Sequence, residues 1–271
     1  MSLVMERMTM KKFIGLGIAV ILAAVCLTSL AGCFEFTHIV GSKTLETRQF
    51  DYSGFKRIEV SDAFNVNVTR SDTYNISVTM NDNIFSDLNV SMSGDTLKVS
   101  MNSFAHFIDT TQKVAISLPE LDALSITGAC EATVSGFQSD GNLALTVAGA
   151  SGMKINNLQA ADTTINIIGA SHLSGSLVTD SADFSITGVS HITLTGSAST
   201  MKLNVIGTSD ASLADFVVGD ASVTAAGVSD VDVEAHGTLD INLSGVSTLT
   251  YGDNPKLGKV SVSGVSNLNR R

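Results

Sequence analysis

His172, His191, Asp210 and Asp230 recur at intervals of 19, 19 and 20 residues. Imidazole nitrogen and carboxylate oxygen together suit zinc or a similar divalent cation. This spacing unites them only if the chain coils with a period near 20 residues, its turns stacked about 4.8 Å apart. Two or three of the four would then reach one ion. The competing arrangement is a solvated ladder in which His and Asp relieve each other's charge, as polar columns do on any solenoid face.

Other chemistry is thinner. Asp210 and Asp230 could meet the roughly 5–10 Å carboxylate separation of a glycosidase, but nothing marks either as a proton donor. A lyase acting on acidic polysaccharide needs a base and several cations. No Arg occurs between Arg70 and Arg270, and beyond residue 118 the only lysines are Lys154, Lys202, Lys256 and Lys259. Gly149-Ala150-Ser151 and Gly169-Ala170-Ser171 run on to Met153 and Leu173, so the Gly-x-Ser-x-Gly nucleophile elbow is absent. No Gly-Lys-Ser/Thr phosphate loop occurs. A net charge of −10 disfavours a nucleic-acid partner. Asp183 with Lys202, and Asp240 with Lys259, read as exposed ion pairs that set register.

The elements that must position these side chains follow from a repeat. A Gly-x-Ser tripeptide begins at Gly149, Gly169, Gly188, Gly207, Gly227, Gly245 and Gly264, and Gly128-Ala129-Cys130 is a first copy with Cys in the Ser slot. The spacings are 21, 20, 19, 19, 20, 18 and 19 residues. Four before the glycine stand Leu124, Leu145, Ile165, Phe184, Leu203, Val223, Ile241 and Val260. Two before and four after it, all eight copies are again apolar, while three before it the residue is always Ser, Thr or Asn. Period-2 alternation nested in a period near 20 predicts an all-β parallel β-helix of about 19–20 residues per rung. The glycine turns a corner that a Cβ would crowd, and drift in the period is expected in outer turns such as 139–142, 179–182 and 251–255. A sandwich or barrel of hairpins is the alternative, but within the repeats Asp140-Gly141 is the sole hairpin-type pair.

Before the repeats, strands are predicted at 56–60, 64–69, 75–80, 88–91, 96–101 and 114–118, with a helical turn near 81–88. Eight of the twelve phenylalanines lie between residues 34 and 107, which suits a terminal cap where no further rung covers the core. A separate aromatic-rich domain is the alternative, but no Pro/Gly/Ser-rich linker stands near residue 118. The composition, 44% apolar and 15% charged, excludes a disordered or coiled-coil chain.

The N-terminus is an address. Arg7, Lys11 and Lys12 precede an apolar run from Phe13 to Leu30, as in an export signal. The run ends in Leu30-Ala31-Gly32-Cys33, which resembles a bacterial lipobox and implies a diacylglycerol-modified Cys33. A retained transmembrane anchor is the alternative, since the run is nearly long enough to span a bilayer. Cleavage removes Arg7, Lys11, Lys12 and Glu6, taking the net charge from −10 to −12. It also leaves Cys130 without an intrachain disulfide partner, so stability outside the cell must come from packing. The expected organisation is a signal peptide at 1–32, a lipidated tether at 33–47, and a β-helix at 48–271 whose strand-rich cap occupies 48–118 and whose rungs occupy 119–271.

Phe50, Phe55-Lys56-Arg57-Ile58-Glu59-Val60 and Phe64-Asn65-Val66-Asn67-Val68-Thr69, followed by Gly-x-Ser rungs, resemble the putative auto-transporter adhesin, head GIN-domain family over residues 50–268. The resemblance implies an exported bacterial β-helix and supplies no catalytic residues. The expectation is a non-catalytic envelope lipoprotein, membrane-held through its lipid, whose β-helix surface binds a glycan or a surface protein. No cofactor is expected beyond the candidate divalent cation. A carbohydrate-active hydrolase and a purely structural envelope protein are the alternatives. Replacing Cys33 by Ser is expected to abolish metabolic labelling by fatty acid and to release the chain from the detergent phase; continued partitioning into detergent would refute the lipid anchor.

Overall fold

The computed structural model describes residues 38–102 and 105–271. The expected signal peptide (1–32), Cys33 and the first residues of the expected tether lie outside the described residues. The chain divides into two units, the smaller comprising residues 1–39 and 104–106. In it, the His38 and His106 rings meet edge to face with centroids 5.5 Å apart. The larger unit, residues 40–103 and 107–271, carries all that follows.

It is a parallel β-solenoid of about 7 turns. Alternating apolar and polar residues make each coil a strand that buries one side and solvates the other. Four coils are continuous strands: Gly152–Gly169, His172–Gly188, His191–Gly207 and Asp210–Gly227. Each pairs with the next in parallel, corner glycine opposite corner glycine. Leu124, Leu145, Ile165, Phe184, Leu203 and Val223 form a buried column, and the Phe184 ring lies 5.9 Å from that of Phe216. In the last coil Val260 and Val262 are 45% and 44% exposed, because no described coil covers them.

The corners explain the glycines. All eight, from Gly128 to Gly264, have φ between +73° and +107°. The N–H following each corner donates to the carbonyl of the corner one coil earlier: Ala150 to Gly128 and Val228 to Gly207 at 2.7 Å, Thr208 to Gly188 at 2.8 Å. A Cβ at Gly207 would collide with the Gly188 carbonyl oxygen. Positive φ and close backbone approach therefore coincide in one residue.

Of the three expected outer turns, 139–142 and residues 253–255 lie between strands, and 179–182 differs from expectation. Residues 179–182 lie inside the strand His172–Gly188, with Ser181 paired to Asp162 and Thr200. Thr179 is buried there, its hydroxyl donating to the Ala161 carbonyl at 2.7 Å, so this polar side chain bonds across coils rather than turning outward. Part of the length drift falls instead in register shifts between Ile155 and Leu158, Thr193 and Gly196, and Leu213 and Val217.

Parallel stacking begins ahead of the Gly-x-Ser repeat. Arg57–Asp62 pairs in parallel with Ala123–Gly128, and Asn65–Arg70 with Glu131–Ser135. Asp62 stands opposite Gly128 at φ +82°, with a carboxylate oxygen accepting the Met101 N–H at 2.8 Å. On its other side this coil still pairs in parallel, Arg57–Asp62 with Thr96–Met101 and Asn65–Arg70 with Gln112–Leu118, and beyond those two strands the pairing turns antiparallel. Leu45–Gln49 lies along Asn75–Asn81, which lies along Gln112–Leu118, and Leu88–Ser93 lies along Thr96–Met101. A 3-10 turn at Asp82–Asp87 buries Phe85 beneath the Arg48 guanidinium, 4.2 Å from the ring centroid. The strand from Leu45 thus begins inside the segment expected to be a tether.

Gly207→Ala is expected to cost more than about 2 kcal/mol in urea denaturation, combining left-handed strain with a backbone collision. Gly54→Ala (φ +77°, with no atom within 4 Å of the added methyl) should show the strain alone, about 1 kcal/mol. Equal costs would mean that the close approach is not what selects glycine.

Candidate functional site

The column of His and Asp residues stacks as its spacing requires. His172 pairs with His191, His191 with Asp210, and Asp210 with Asp230, and all four are exposed. Among the four, the side chains of His191 and Asp210 approach each other. His191 Nδ1 lies 4.0 Å from Asp210 Oδ2, while its Nε2 shares a hydrogen bond of 2.7 Å with Thr193 Oγ1. Earlier in the column Gly152 separates Glu131 from His172. A Cβ there would meet both the Glu131 carboxylate and the His172 ring, so the two lean into the space a side chain would fill.

A second place brings three ligand-type side chains together, and the sequence did not single it out. Donor atoms of Glu234, His236 and Asp253 all lie within 4.8 Å of one another, the one such trio among the described residues. Glu234 is the next-to-last residue of the strand Asp230–Ala235, His236 follows that strand, and Asp253 occupies the turn after Thr248–Gly252. Glu234 pairs with Gly252. The missing side chain at Gly252 lets the Glu234 carboxylate reach Arg271 Nη2 at 2.7 Å, two coils away. Arg271 also holds Asp232 at 3.2 Å, and burial pushes the Asp232 carboxyl up against the opposing pull of that guanidinium. The one sequence signal was the glycine at 252, opposite an acidic residue 18 positions earlier.

The broadest feature is a ladder of hydrogen-bonding side chains three residues before each corner. Ser125, Thr146, Asn166, Ser185, Asn204, Thr224, Asn242 and Ser261 occupy successive coils. The first six are half-buried and the last two exposed. At about 4.8 Å per coil the ladder runs roughly 34 Å. Shallow grooves follow it; one of about 490 Å³ is lined by Thr224, Asp240, Asn242, Lys259 and Ser261 among others. Of the two expected ion pairs, Asp183–Lys202 forms at 3.6 Å, whereas Asp240 accepts the backbone N–H of Lys259 at 2.7 Å.

The corner serines are structural. The Ser171 hydroxyl bonds the carbonyls of Gly149 (3.2 Å) and Ile168 (3.0 Å), and accepts the Ser151 N–H at 3.3 Å. Serines 151, 171, 190, 209, 229 and 247 are all buried in this way. Cys130 sits between Ser151, whose hydroxyl accepts its N–H at 3.1 Å, and the coil of Phe64. Its sulfur lies 3.6 Å from the Thr127 carbonyl, and burial pushes the thiol's pKa up.

These observations meet the comparisons with known proteins. The pattern of the family described as putative auto-transporter adhesin, head GIN domain, matches residues 54–255, well over half of the chain, and the chain belongs to that family. Its fold is similar to a putative adhesin from Parabacteroides distasonis, at 16% identity and a TM-score of 0.77, covering 86% of this chain and 100% of the other. It is also similar to a putative lipid binding protein from that organism, at 20% identity and a TM-score of 0.76, covering 87% and 100%. A putative adhesin from Bacteroides fragilis matches at 20% identity and a TM-score of 0.65, covering 86% and 100%. Identities this low speak to the fold alone. No curated protein matches the chain.

The Cys130 thiol, fully buried and held neutral, is expected to label with an alkylating reagent at least about 100-fold more slowly in the native protein than in denaturant, read by mass spectrometry of its peptide. Cys130→Ser should stay within about 1 kcal/mol of the parent, because serine fills the same slot in the other coils. Rapid native labelling would show a thiol poised for reaction instead.

Proposed function

We propose that this chain is a non-catalytic, lipid-anchored protein of the cell envelope that binds a glycan or surface protein along its flat polar faces. Membership of an adhesin family points to an extracellular or surface location. Among the described residues no helix is long and apolar enough to cross a membrane. The lipobox at Leu30–Cys33 supports attachment through Cys33.

The observation that carries the binding reading is the Ser/Thr/Asn ladder. Repeated hydroxyl and amide groups, half-buried and one per coil, present an ordered row of donors and acceptors to an extended polar partner. Each hydrogen bond to such a partner contributes about 1 kcal/mol, so affinity grows with the number of coils engaged. Catalysis needs donors converging on one reacting centre and a pKa tuned for proton transfer. Asp210 and Asp230, the residues a hydrolase reading would use, lie side by side on an open surface.

A glycan array combined with a hydrolysis screen tests the proposal. Binding without turnover is the expected result, and Asn166→Ala with Asn204→Ala should weaken it about 30-fold, the loss of two hydrogen bonds of about 1 kcal/mol each. Turnover would establish a hydrolase, and neither binding nor turnover, on glycans or on exposed envelope proteins, would favour a structural spacer.

A further inference from the structure

The trio Glu234, His236 and Asp253 lies apart from the Ser/Thr/Asn ladder and from the His172–Asp230 column. We propose that it is a binding site for a first-row divalent cation, with zinc the best match. One imidazole nitrogen and two carboxylate oxygens form a donor set suited to zinc. In a tetrahedral zinc site with metal–ligand bonds of about 2.0–2.2 Å, donors stand roughly 3.4 Å apart. His236 Nε2 is already 3.4 Å from Asp253 Oδ2. It is 4.0 Å from Glu234 Oε1, a gap that a small side-chain rotation closes.

Neighbouring groups hold the three in place. The His236 N–H donates to the Val218 carbonyl at 2.9 Å, fixing its backbone to the preceding coil. Asp253 sits at φ +58°, and its carbonyl accepts Arg270 Nε at 3.1 Å, which pins the turn. Arg271 takes the other oxygen of Glu234, Oε2, at 2.7 Å and leaves Oε1 facing His236. Glycine at 252 makes this possible, since any side chain there would occupy the place of the carboxylate. Arg271 thus acts as a positioning residue: it orients Glu234 and offsets part of the negative charge contributed by Asp232 and Glu234. His236 and Asp253 are exposed and Glu234 is half-buried, so at least one vertex stays open to water or to a partner's oxygen.

The same geometry without a metal is a polar cluster in which His236 contacts two carboxylates, and the test separates the two. The full chain, purified in detergent, is titrated with zinc chloride near pH 7.5 by calorimetry, alongside His236→Ala, Asp253→Asn and His191→Ala. The proposal expects one saturable equivalent, weakened at least about tenfold by each of the first two changes and unaffected by the third. No binding heat, or binding that survives His236→Ala, overturns it; so does loss in His191→Ala with retention in His236→Ala, which would place the ion on the His172–Asp230 column. Should a variant fail to fold, the imidazole resonances of the parent chain decide. Zinc-dependent shifts at His236 support the site, and shifts confined to other histidines contradict it.

Discussion

The structure depends on a close approach of backbone to backbone at one corner of every coil. There the N–H after each glycine reaches the carbonyl of the glycine one coil earlier, at 2.7–2.8 Å from Gly128 to Gly245. A Cβ at those positions would fall on that carbonyl oxygen, and φ is positive at all of them. Once the corner is set, each residue is placed by its distance along the chain from the nearest glycine. The apolar residues two and four before it point inward in every coil, and the residue between them points out. A one-residue slip would reverse every side chain between core and solvent, so a fixed corner fixes the faces as well.

Around that corner the molecule sorts its polar groups by depth. The buried serines close on carbonyls and amides of their own and adjacent coils, leaving little hydrogen-bonding capacity for a ligand. Cys130 fills the serine slot where the ladder gives way to Phe64, its sulfur facing the Asp62 and Thr127 carbonyls as the serine hydroxyls face theirs. The outward Ser/Thr/Asn ladder has no such closure and remains available. The resulting surface is long, regular and shallow, which favours distributed binding over concentrated chemistry.

Much of this was legible in the sequence because glycine is the one residue the corner accepts. The period, the core columns, the outward ladder and the stacking of His172, His191, Asp210 and Asp230 all follow from it. What escaped was whatever did not use glycine as its marker. Asp62 turns the earliest of these corners at φ +82°, its side chain accepting the Met101 N–H, so the repeat pattern assigns that coil to the cap. Residues 179–182 resemble a turn by composition, yet their neighbours on both sides hold them in strand. The Glu234–His236–Asp253 trio draws on the end of one coil and the turn of the next, and no single column contains it. There the signal was a glycine opposite a glutamate, visible only once the register was known.

Native-state hydrogen exchange at the corner amides tests this account most directly. Ala150, Ala170, Val189, Thr208, Val228 and Val246 lie outside the named strands, in what looks like a loop, yet each donates to the preceding glycine carbonyl. If the corner is the constraint on which the stack rests, these amides exchange as slowly as those of the buried core strands and open together with them. Fast, independent exchange at the corners, with the strands still protected, would contradict it and leave the core columns alone to hold the coils in register.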